Sequence, residues 1–233
     1  MKTRHEIAER LEIVRARIGA AAYRARREPA SIRLVLASKT QTAEAIRTAY
    51  EAGARDFGEN YVQEAIAKRA ELSDLSDIRW HLIGHLQTNK ARIAASEFAL
   101  IHTVDSIRIV EALARVQQSP RVHALIEVNL GAEVSKTGVV PDGAEAILDA
   151  ARGKIEIDGL MTIPPAAPRA ETARPYFALL RAMRDRLAIR SGLALSELSM
   201  GMTDDFEVAI EEGATIVRIG RAVFGERITK RDR

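Results

Sequence analysis

Residues 32–60 read IRLVLASKTQTAEAIRTAYEAGARDFGEN. The stretch opens with an apolar, β-branched run at residues 32–37, continues with a helical pattern over residues 42–51, and returns to a β-type run at residues 55–57. A strand, a helix and a second strand in this order are typical of a βαβ unit, in which the two strands lie parallel. This stretch therefore indicates the α/β class.

The same alternation continues along the chain and fixes the number of strands. Eight β-type runs are present, at residues 32–37, 55–57, 78–83, 99–104, 123–130, 155–161, 197–200 and 215–219. Helical patterns separate them, at residues 42–51, 61–72, 89–96, 106–118, 141–152, 171–191 and 204–212. An open doubly wound sheet usually has fewer strands and a glycine-rich first turn, so we predict a closed (β/α)8 barrel of the TIM type.

An amphipathic helix is predicted ahead of the barrel, at about residues 3–27. Its apolar residues recur with a period of 3.6, at Ile7, Leu11, Val14, Ile18, Ala21 and Ala22. No linker or repeat divides the sequence. We therefore predict one domain over residues 1–233, with this helix, a barrel over about residues 32–226 and a basic tail at residues 227–233.

Composition excludes several classes of function. The sequence has no cysteine, which excludes disulfides and thiolate chemistry. Its formal net charge is +3 and its aromatic content only 4%, a poor basis for binding nucleic acid. No signal peptide and no run of about 20 apolar residues is visible. We expect a cytoplasmic protein that binds neither membranes nor nucleic acids.

Lysine is rare, with seven lysines among the 35 basic residues. Arginine cannot form a Schiff base, so a lysine kept in such a chain can mark a need for an amine. Lys39 follows the apolar run at residues 32–37 after one residue, Ser38, at the strand end where barrels place their chemistry. Its position alone leaves two interpretations open: a desolvated, nucleophilic amine, or a solvated side chain whose stem covers apolar surface.

Two segments have features of phosphate loops. Residues 199–205 and 217–225 follow the seventh and eighth predicted strands, where barrels frequently bind phosphate through backbone N–H groups. Gly201 and Gly220 would let the backbone approach closely. The alternative is that both glycines only turn the chain and that Arg218 pairs with an acid. The shared location of the two segments favours phosphate.

A metal site is not expected. His81 and His85 lie four residues apart on a predicted strand, which separates them by about 13 Å, too far to share a metal ion. We expect His81 to lie in the core or on a sheet face and His85 to face the rim.

Seven sequence strings, in order, resemble those of the pyridoxal phosphate homeostasis protein family. They are ASKT at 37–40, FGENYVQE at 57–64, WHLIGHLQTNK at 80–90, SKTG at 135–138, GLM at 159–161, LSMGMTDD at 198–205 and VRIG at 217–220. The resemblance spans about residues 32–226. It implies a barrel like that of alanine racemase (fold-type III) and pyridoxal 5′-phosphate as the cofactor.

The resemblance also implies which residues contact the cofactor. Lys39 matches the Schiff-base lysine, and Arg218 matches an arginine beside the pyridine nitrogen. The phosphate would lie near Ser199 and Gly220, with the backbone N–H groups of following residues such as Gly201. The residues that would line the ring are Asn60, His85, Met161 and Met200. Arg221 departs from the pattern, since a small hydroxyl residue is common at that position in the family.

The implied function is to hold pyridoxal phosphate, as a store within vitamin B6 and amino-acid homeostasis, and to deliver it to apo-enzymes. An arginine at the pyridine nitrogen disfavours ring protonation and weakens the ring as an electron sink, so we expect no catalytic residue. The alternative is a racemase-like enzyme, which needs proton donors on both faces of the substrate carbon. A third class is a regulatory protein whose ligand state a partner senses. We expect a monomer.

Overall fold

The computed structural model describes residues 4–116, 121–133 and 136–225. Eight parallel strands close a barrel in chain order, which confirms the predicted (β/α)8 fold. The strands are β1 (Arg33–Ala37), β2 (Asp56–Glu59), β3 (Arg79–Leu82), β4 (Leu100–Val104), β5 (His123–Glu127), β6 (Glu156–Met161), β7 (Glu197–Ser199) and β8 (Ile216–Ile219). The barrel closes where β1 pairs with β8, with Val35 opposite Arg218.

Helices follow the strands on the outside of the barrel. They are α1 (Arg4–Arg24), α2 (Ala43–Glu51), α3 (Val62–Glu71), α4 (Ala91–Glu97), α5 (Ile107–Ala114), α6 (Ala144–Ala151), α7 (Arg174–Ser191), α8 (Phe206–Glu211) and α9 (Arg221–Phe224). Within the described residues, no helix is both long enough and apolar enough to cross a membrane. The predicted tail at 227–233 and the last barrel residue, 226, lie outside the described part of the chain.

The N-terminal helix α1 packs on the outside of the barrel, against α2, α8 and α9. The predicted apolar stripe is the face that it buries. On its polar side Arg17 forms an ion pair with Glu207 and lies over the ring of Phe206. The 3.6-residue pattern therefore reflects a real docking face.

Two strand ends differ from the prediction by two or more residues, and the other strand bounds agree to within one residue. The predicted run at 123–130 splits, because β5 ends at Glu127 and Val128 forms an isolated bridge with Val139. By contrast, β2 extends to Glu59, two residues past the predicted end. A glutamate seldom ends a buried strand, but here a lysine from α3 neutralises it. Tertiary pairing thus overrides the strand propensity of one residue.

Two apolar layers surround the wall of the barrel. The larger layer lies between the sheet and the helices. The smaller one fills the barrel interior with Val35, Leu100, Leu125, Met161 and Ile216. Residues two positions further along these strands also point inward, because side chains alternate along a strand. Three of these positions hold His102, Glu127 and Arg218, and these polar side chains form the floor of the candidate site.

Candidate functional site

The fold brings the predicted residues to one end of the barrel. Lys39, Asn60 and His85 follow β1, β2 and β3, and Gly220 directly follows β8. Met161 and Ser199 are the last residues of β6 and β7, and Arg218 lies near the end of β8. The carboxyl ends of parallel strands meet at one rim, the usual site of chemistry in this fold.

The two neighbours of Lys39 are held by a set of charged residues that we call the clamp: Glu59, Glu64 and Lys68. The Lys68 ammonium donates to the carbonyl of Ser38 at 2.8 Å, to Glu59 Oε1 at 2.8 Å and to Glu64 Oε1 at 2.6 Å. The Ser38 hydroxyl also donates to Glu59 Oε1, at 2.6 Å. The clamp thus fixes the residue before Lys39.

The clamp also fixes the residue after Lys39. The backbone N–H of Thr40 donates to Glu64 Oε1 at 2.7 Å. Thr40 has a φ of 66°, a left-handed conformation that is unusual for a β-branched residue. Lys39 itself is half-buried. The backbone on both sides of this lysine is therefore held in a defined conformation, and at Thr40 that conformation is strained.

Within the clamp the charges are buried. The side chains of Glu59 and Lys68 are 0% and 9% exposed, so their ion pair lies out of water. Burial raises the pKa of Glu59, against the hydrogen bonds from Lys68 and Ser38. One oxygen of Glu59, Oε2, has no partner among the described residues. Lys68 is thus a second lysine, besides Lys39, with a specific position in this arginine-rich chain. Its compact ammonium contacts three oxygens in a small buried space.

Arg218 lies buried on the other side of the β1–β8 seam. Its guanidinium donates to the Ser199 hydroxyl at 2.7 Å and to the carbonyl of Thr162 at 3.0 Å. Burial lowers the pKa of Arg218 to about 10, and the charges of Asp205 and Glu127 oppose that shift. The group therefore stays a cation at neutral pH, and both of these hydrogen bonds go to neutral oxygens.

The structure gives both rim glycines a steric role. A Cβ on Gly220 would lie 2.9 Å from the carbonyl oxygen of Ala37, and one on Gly201 would lie 2.9 Å from Cα of Phe206. Gly201 also has a φ of 93°, in the left-handed region. Both positions therefore bring backbone closer to its neighbours than a side chain allows.

The side chains of Ser199 and Met200, both predicted to contact the cofactor, point away from the rim. The hydroxyl of Ser199 points into the barrel, toward Arg218 and His102. The side chain of Met200 is buried in the outer apolar layer with Phe206. Any contact of these residues with a group on the rim would therefore come from their backbone atoms.

The loops after β7 and β8 are joined to each other. Arg221 forms an ion pair with Asp204, and the backbone N–H of Ala222 donates to the Thr203 hydroxyl at 3.4 Å. The N–H of Arg218 donates to the carbonyl of Gly201 at 3.0 Å. The arginine that replaces the hydroxyl common in the family thus ties the two loops together.

The remaining predicted residues differ in exposure. His85 is exposed and lies 3.2 Å from Asp105. Met161 is fully buried in the interior layer. Asn60 is half-buried. His81, expected in the core or on a sheet face, lies in the barrel interior, where it contacts Asp56 and His102.

Sequence reasoning missed one acidic residue of this floor. Glu127 ends β5, is 4% exposed, and accepts a hydrogen bond from the Thr137 hydroxyl at 2.7 Å. Its other oxygen has no partner within the described residues. Burial raises its pKa. A signal was available, since a charged residue two positions after Leu125 on a buried strand must share its inward direction.

Comparison with known proteins identifies the class of this barrel. Residues 11–228 match the family described as alanine racemase, N-terminal domain. An alanine racemase structure from Corynebacterium glutamicum has the same fold, with a TM-score of 0.72, 20% identity, and coverage of 97% of this chain and 62% of that one.

Other relatives are much more similar and span nearly the whole chain. The pyridoxal phosphate homeostasis protein of Pseudomonas aeruginosa is 45% identical over 225 residues, 95% of this chain and 96% of the relative. That of Aquifex aeolicus is 44% identical over 223 residues, 94% and 97% of the two chains. A structure of PipY from Synechococcus elongatus with PLP bound has a TM-score of 0.83 and 42% identity, and the match covers 94% of this chain and all of PipY. The chain belongs to the pyridoxal phosphate homeostasis protein family.

Proposed function

We propose that this protein holds pyridoxal 5′-phosphate on Lys39 and serves as an intracellular store of the cofactor. The observation that carries the proposal is the junction of β1 and β8. There Lys39, whose two neighbours the clamp holds, lies at the same rim as the buried cation Arg218 and the close-packed backbone of Gly220. The relatives named above, one of them with PLP bound, support the choice of ligand.

The residues present fit this cofactor. At Gly201 and Gly220 a Cβ would clash with protein atoms, so the backbone of both rim loops packs closely, and backbone N–H groups in such loops suit a phosphate. The chemistry that pyridoxal phosphate supplies when bound is an aldehyde that forms a Schiff base with an amine. We assign that amine to Lys39, which is half-buried at the end of β1 between two residues that the clamp holds.

Arg218 supports a holding role. Its guanidinium stays charged, so it can donate a hydrogen bond to a pyridine nitrogen but cannot leave a proton there. A ring nitrogen kept unprotonated is a weak electron sink, which suits storage better than carbanion chemistry. Storage then requires release, and we assign apo-enzymes that use the cofactor as the recipients, with a monomeric carrier presenting its open rim to them.

The covalent assignment can be tested with pyridoxal phosphate, borohydride reduction and peptide mass spectrometry. We expect one reducible adduct, on Lys39, and none in Lys39→Ala. Lys154→Ala is the matched control, because Lys154 is exposed on the turn that precedes β6. It should bind as the wild type does. A Lys39→Ala protein that keeps the same spectrum and a reducible adduct would refute the assignment.

The absence of turnover is a separate test. The cofactor-loaded protein is incubated with each L-amino acid, and the mixture is analysed by chiral chromatography and for keto acids. We expect neither inversion nor keto-acid release beyond that of pyridoxal phosphate alone. Sustained turnover that disappears in Lys39→Ala would favour the racemase-like alternative.

A further inference from the structure

A chain of hydrogen bonds crosses the interior of the barrel from its amino end to Arg218. Asp56 Oδ1 lies 2.9 Å from His81 Nε2, and His81 Nδ1 lies 3.0 Å from His102 Nε2. His102 Nδ1 lies 2.8 Å from the Ser199 hydroxyl, which accepts from Arg218 at 2.7 Å. We call these five residues the interior chain. Arg218 and Asp56 are 4% and 6% exposed, and the three residues between them are 1% exposed or less.

The two ends of the interior chain fix the direction of every link. Arg218 only donates, so Ser199 accepts from it. When both histidines are neutral, the Ser199 proton goes to His102 Nδ1, because the Asp56 carboxylate at the other end takes the Nε2–H of His81. His102 must then donate from Nε2 to His81 Nδ1. His81 in turn donates from Nε2 to the Asp56 carboxylate, which only accepts. As neutral groups, both histidines are thereby defined as Nε2–H tautomers.

The surroundings keep the two histidines of the interior chain neutral, whereas Arg218 and Asp56 at its ends are charged. Burial lowers the pKa of His102 well below its usual value, and repulsion from Arg218, from Arg33 and from any protonated form of His81 acts in the same direction. Burial lowers the pKa of His81 despite Asp56, and Arg33 and Arg79 act in the same direction.

Asp56 is ionised at the far end of the chain. Burial alone would raise its pKa, but hydrogen bonds from Arg79 and His81 reverse the shift and hold it below the usual range. Arg79 contacts both carboxylate oxygens, at 2.8 and 2.6 Å.

We propose that Asp56, His81 and His102 are positioning residues, which fix the donor direction and orientation of the Ser199–Arg218 pair. Through them an anion at the amino end of the barrel orders a cation at the rim. The inference rests on the proposed function in one respect only, the ligand that Arg218 faces. The order of the interior chain itself is a property of the cofactor-free protein.

Nitrogen-15 NMR of the histidine side chains tests the order directly in the cofactor-free protein. We expect His81 and His102 as neutral Nε2–H tautomers at neutral pH, close to the range in which an ordinary histidine titrates. Asp56→Asn keeps the size of the side chain but can donate as well as accept, so the direction is no longer imposed. The His102 signals should then change, although Asp56 contacts His81 and not His102.

Asp158→Asn is the matched control, since it removes a carboxylate 2.9 Å from exposed His123 and outside the interior chain. It should leave His102 unchanged. A His102 spectrum that is the same in Asp56→Asn and the wild type overturns the proposal. So does a wild-type His81 protonated at Nδ1.

A second measurement reports on Arg218. Folded His102→Phe should bind pyridoxal phosphate about tenfold more weakly, equal to about 1.4 kcal/mol, and should shift the ring-nitrogen signal of nitrogen-15-labelled cofactor. His102→Gln can still donate and accept, so it should largely restore both values. An unchanged ring-nitrogen signal in folded His102→Phe overturns the positioning role. If His102→Phe does not fold, the Asp56→Asn result decides.

The two proposals fail separately. If the wild type forms no lysine adduct but Asp56→Asn alters His102, the proposed function fails and the interior chain stands. If the adduct forms and His102 is indifferent to Asp56, the reverse holds.

Discussion

The clamp and the interior chain are both buried polar networks, but they solve the burial of charge in opposite ways. In the clamp, Lys68 touches two carboxylates directly. In the interior chain, neutral groups separate the cation Arg218 from the anion Asp56, whose direct ionic partner is Arg79 at the other end of the barrel. The clamp lies outside the barrel wall, between β2 and α3, whereas the interior chain crosses the space inside the wall.

The difference relates to what each network supports. A direct ion pair fixes backbone but neutralises its own charges, which suits the task of holding the segment around Lys39. A chain of neutral links orders Arg218 while leaving its charge uncompensated by contact, so the cation can act on a ligand at the rim. We infer that the clamp contributes mainly to stability and the interior chain mainly to charge placement. The following predictions test that division.

The largest expected loss in the free energy of unfolding comes from a substitution in the clamp. Lys68→Met removes the ammonium and leaves Glu59 as a buried, unpaired acid, which costs about 3–5 kcal/mol for pairs of this kind. Urea unfolding measures it. Arg47→Met is the control, because Arg47 pairs with Asp74 at the surface and should cost less than about 1 kcal/mol. Equal losses in the two variants would show that the clamp is not a buried pair in solution.

A smaller loss is expected for the interior chain. Ser199→Ala leaves one Arg218 donor and the His102 Nδ1 acceptor without this partner, which costs about 1–3 kcal/mol. Thr48→Ala is the control: its buried hydroxyl bonds to the carbonyl of Glu44 in its own helix, and the loss should be below that of Ser199→Ala. If Ser199→Ala destabilises the protein as much as Lys68→Met does, the division between the two networks is wrong.

Substitution of Glu127 is expected to stabilise the protein, in contrast to the two destabilising substitutions above. The pKa of Glu127 is raised in the folded state. At a pH above the usual glutamate pKa, the folded state therefore binds more protons than the unfolded state. Stability from this group is therefore present at low pH and is lost as pH rises through the folded pKa. Glu127→Gln should flatten that dependence and raise neutral-pH stability by on the order of 1 kcal/mol.

The measurement for Glu127 is the urea midpoint across the acid to neutral range. Glu156→Gln is the control, because Glu156 is an exposed partner of Arg121 on the same pair of strands. It should follow the wild-type curve. A Glu127→Gln curve parallel to the wild type would mean that the carboxyl of Glu127 titrates normally.

The smallest stability change is expected at Thr40. Thr40→Gly relieves the left-handed backbone and should stabilise the fold by up to about 1 kcal/mol, while loosening the segment that holds Lys39. Arg26→Gly is the control, since Arg26 has a φ of 54° at an exposed position away from the clamp. Both should gain stability, but only Thr40→Gly should slow formation of the reducible adduct. Equal rates of adduct formation in Thr40→Gly and Arg26→Gly would show that the strained backbone at Thr40 does not affect the reactivity of Lys39.

Much of the fold could be predicted from the sequence, because strand and helix patterns are local. The alternation that begins at residues 32–60 indicated eight parallel strands, and the stripe from Ile7 to Ala22 indicated the outer helix. Parallel strands then place their carboxyl ends at one rim, which put Lys39, Arg218 and the two glycines together before any coordinates. The same reasoning could not show that the Ser199 hydroxyl faces inward, toward His102.

Only the tertiary structure decided which polar groups pair. Lys68 shows a Glu–Lys spacing of four that is common on exposed helices, and His81 and His102 resemble ordinary residues of buried strands. Their partners come from strands up to 97 residues away, and local periodicity carries no information about such contacts. The sequence by itself determined where the chain places chemistry. The closed barrel determined which charges meet there, because burial makes each polar group depend on one specific neighbour.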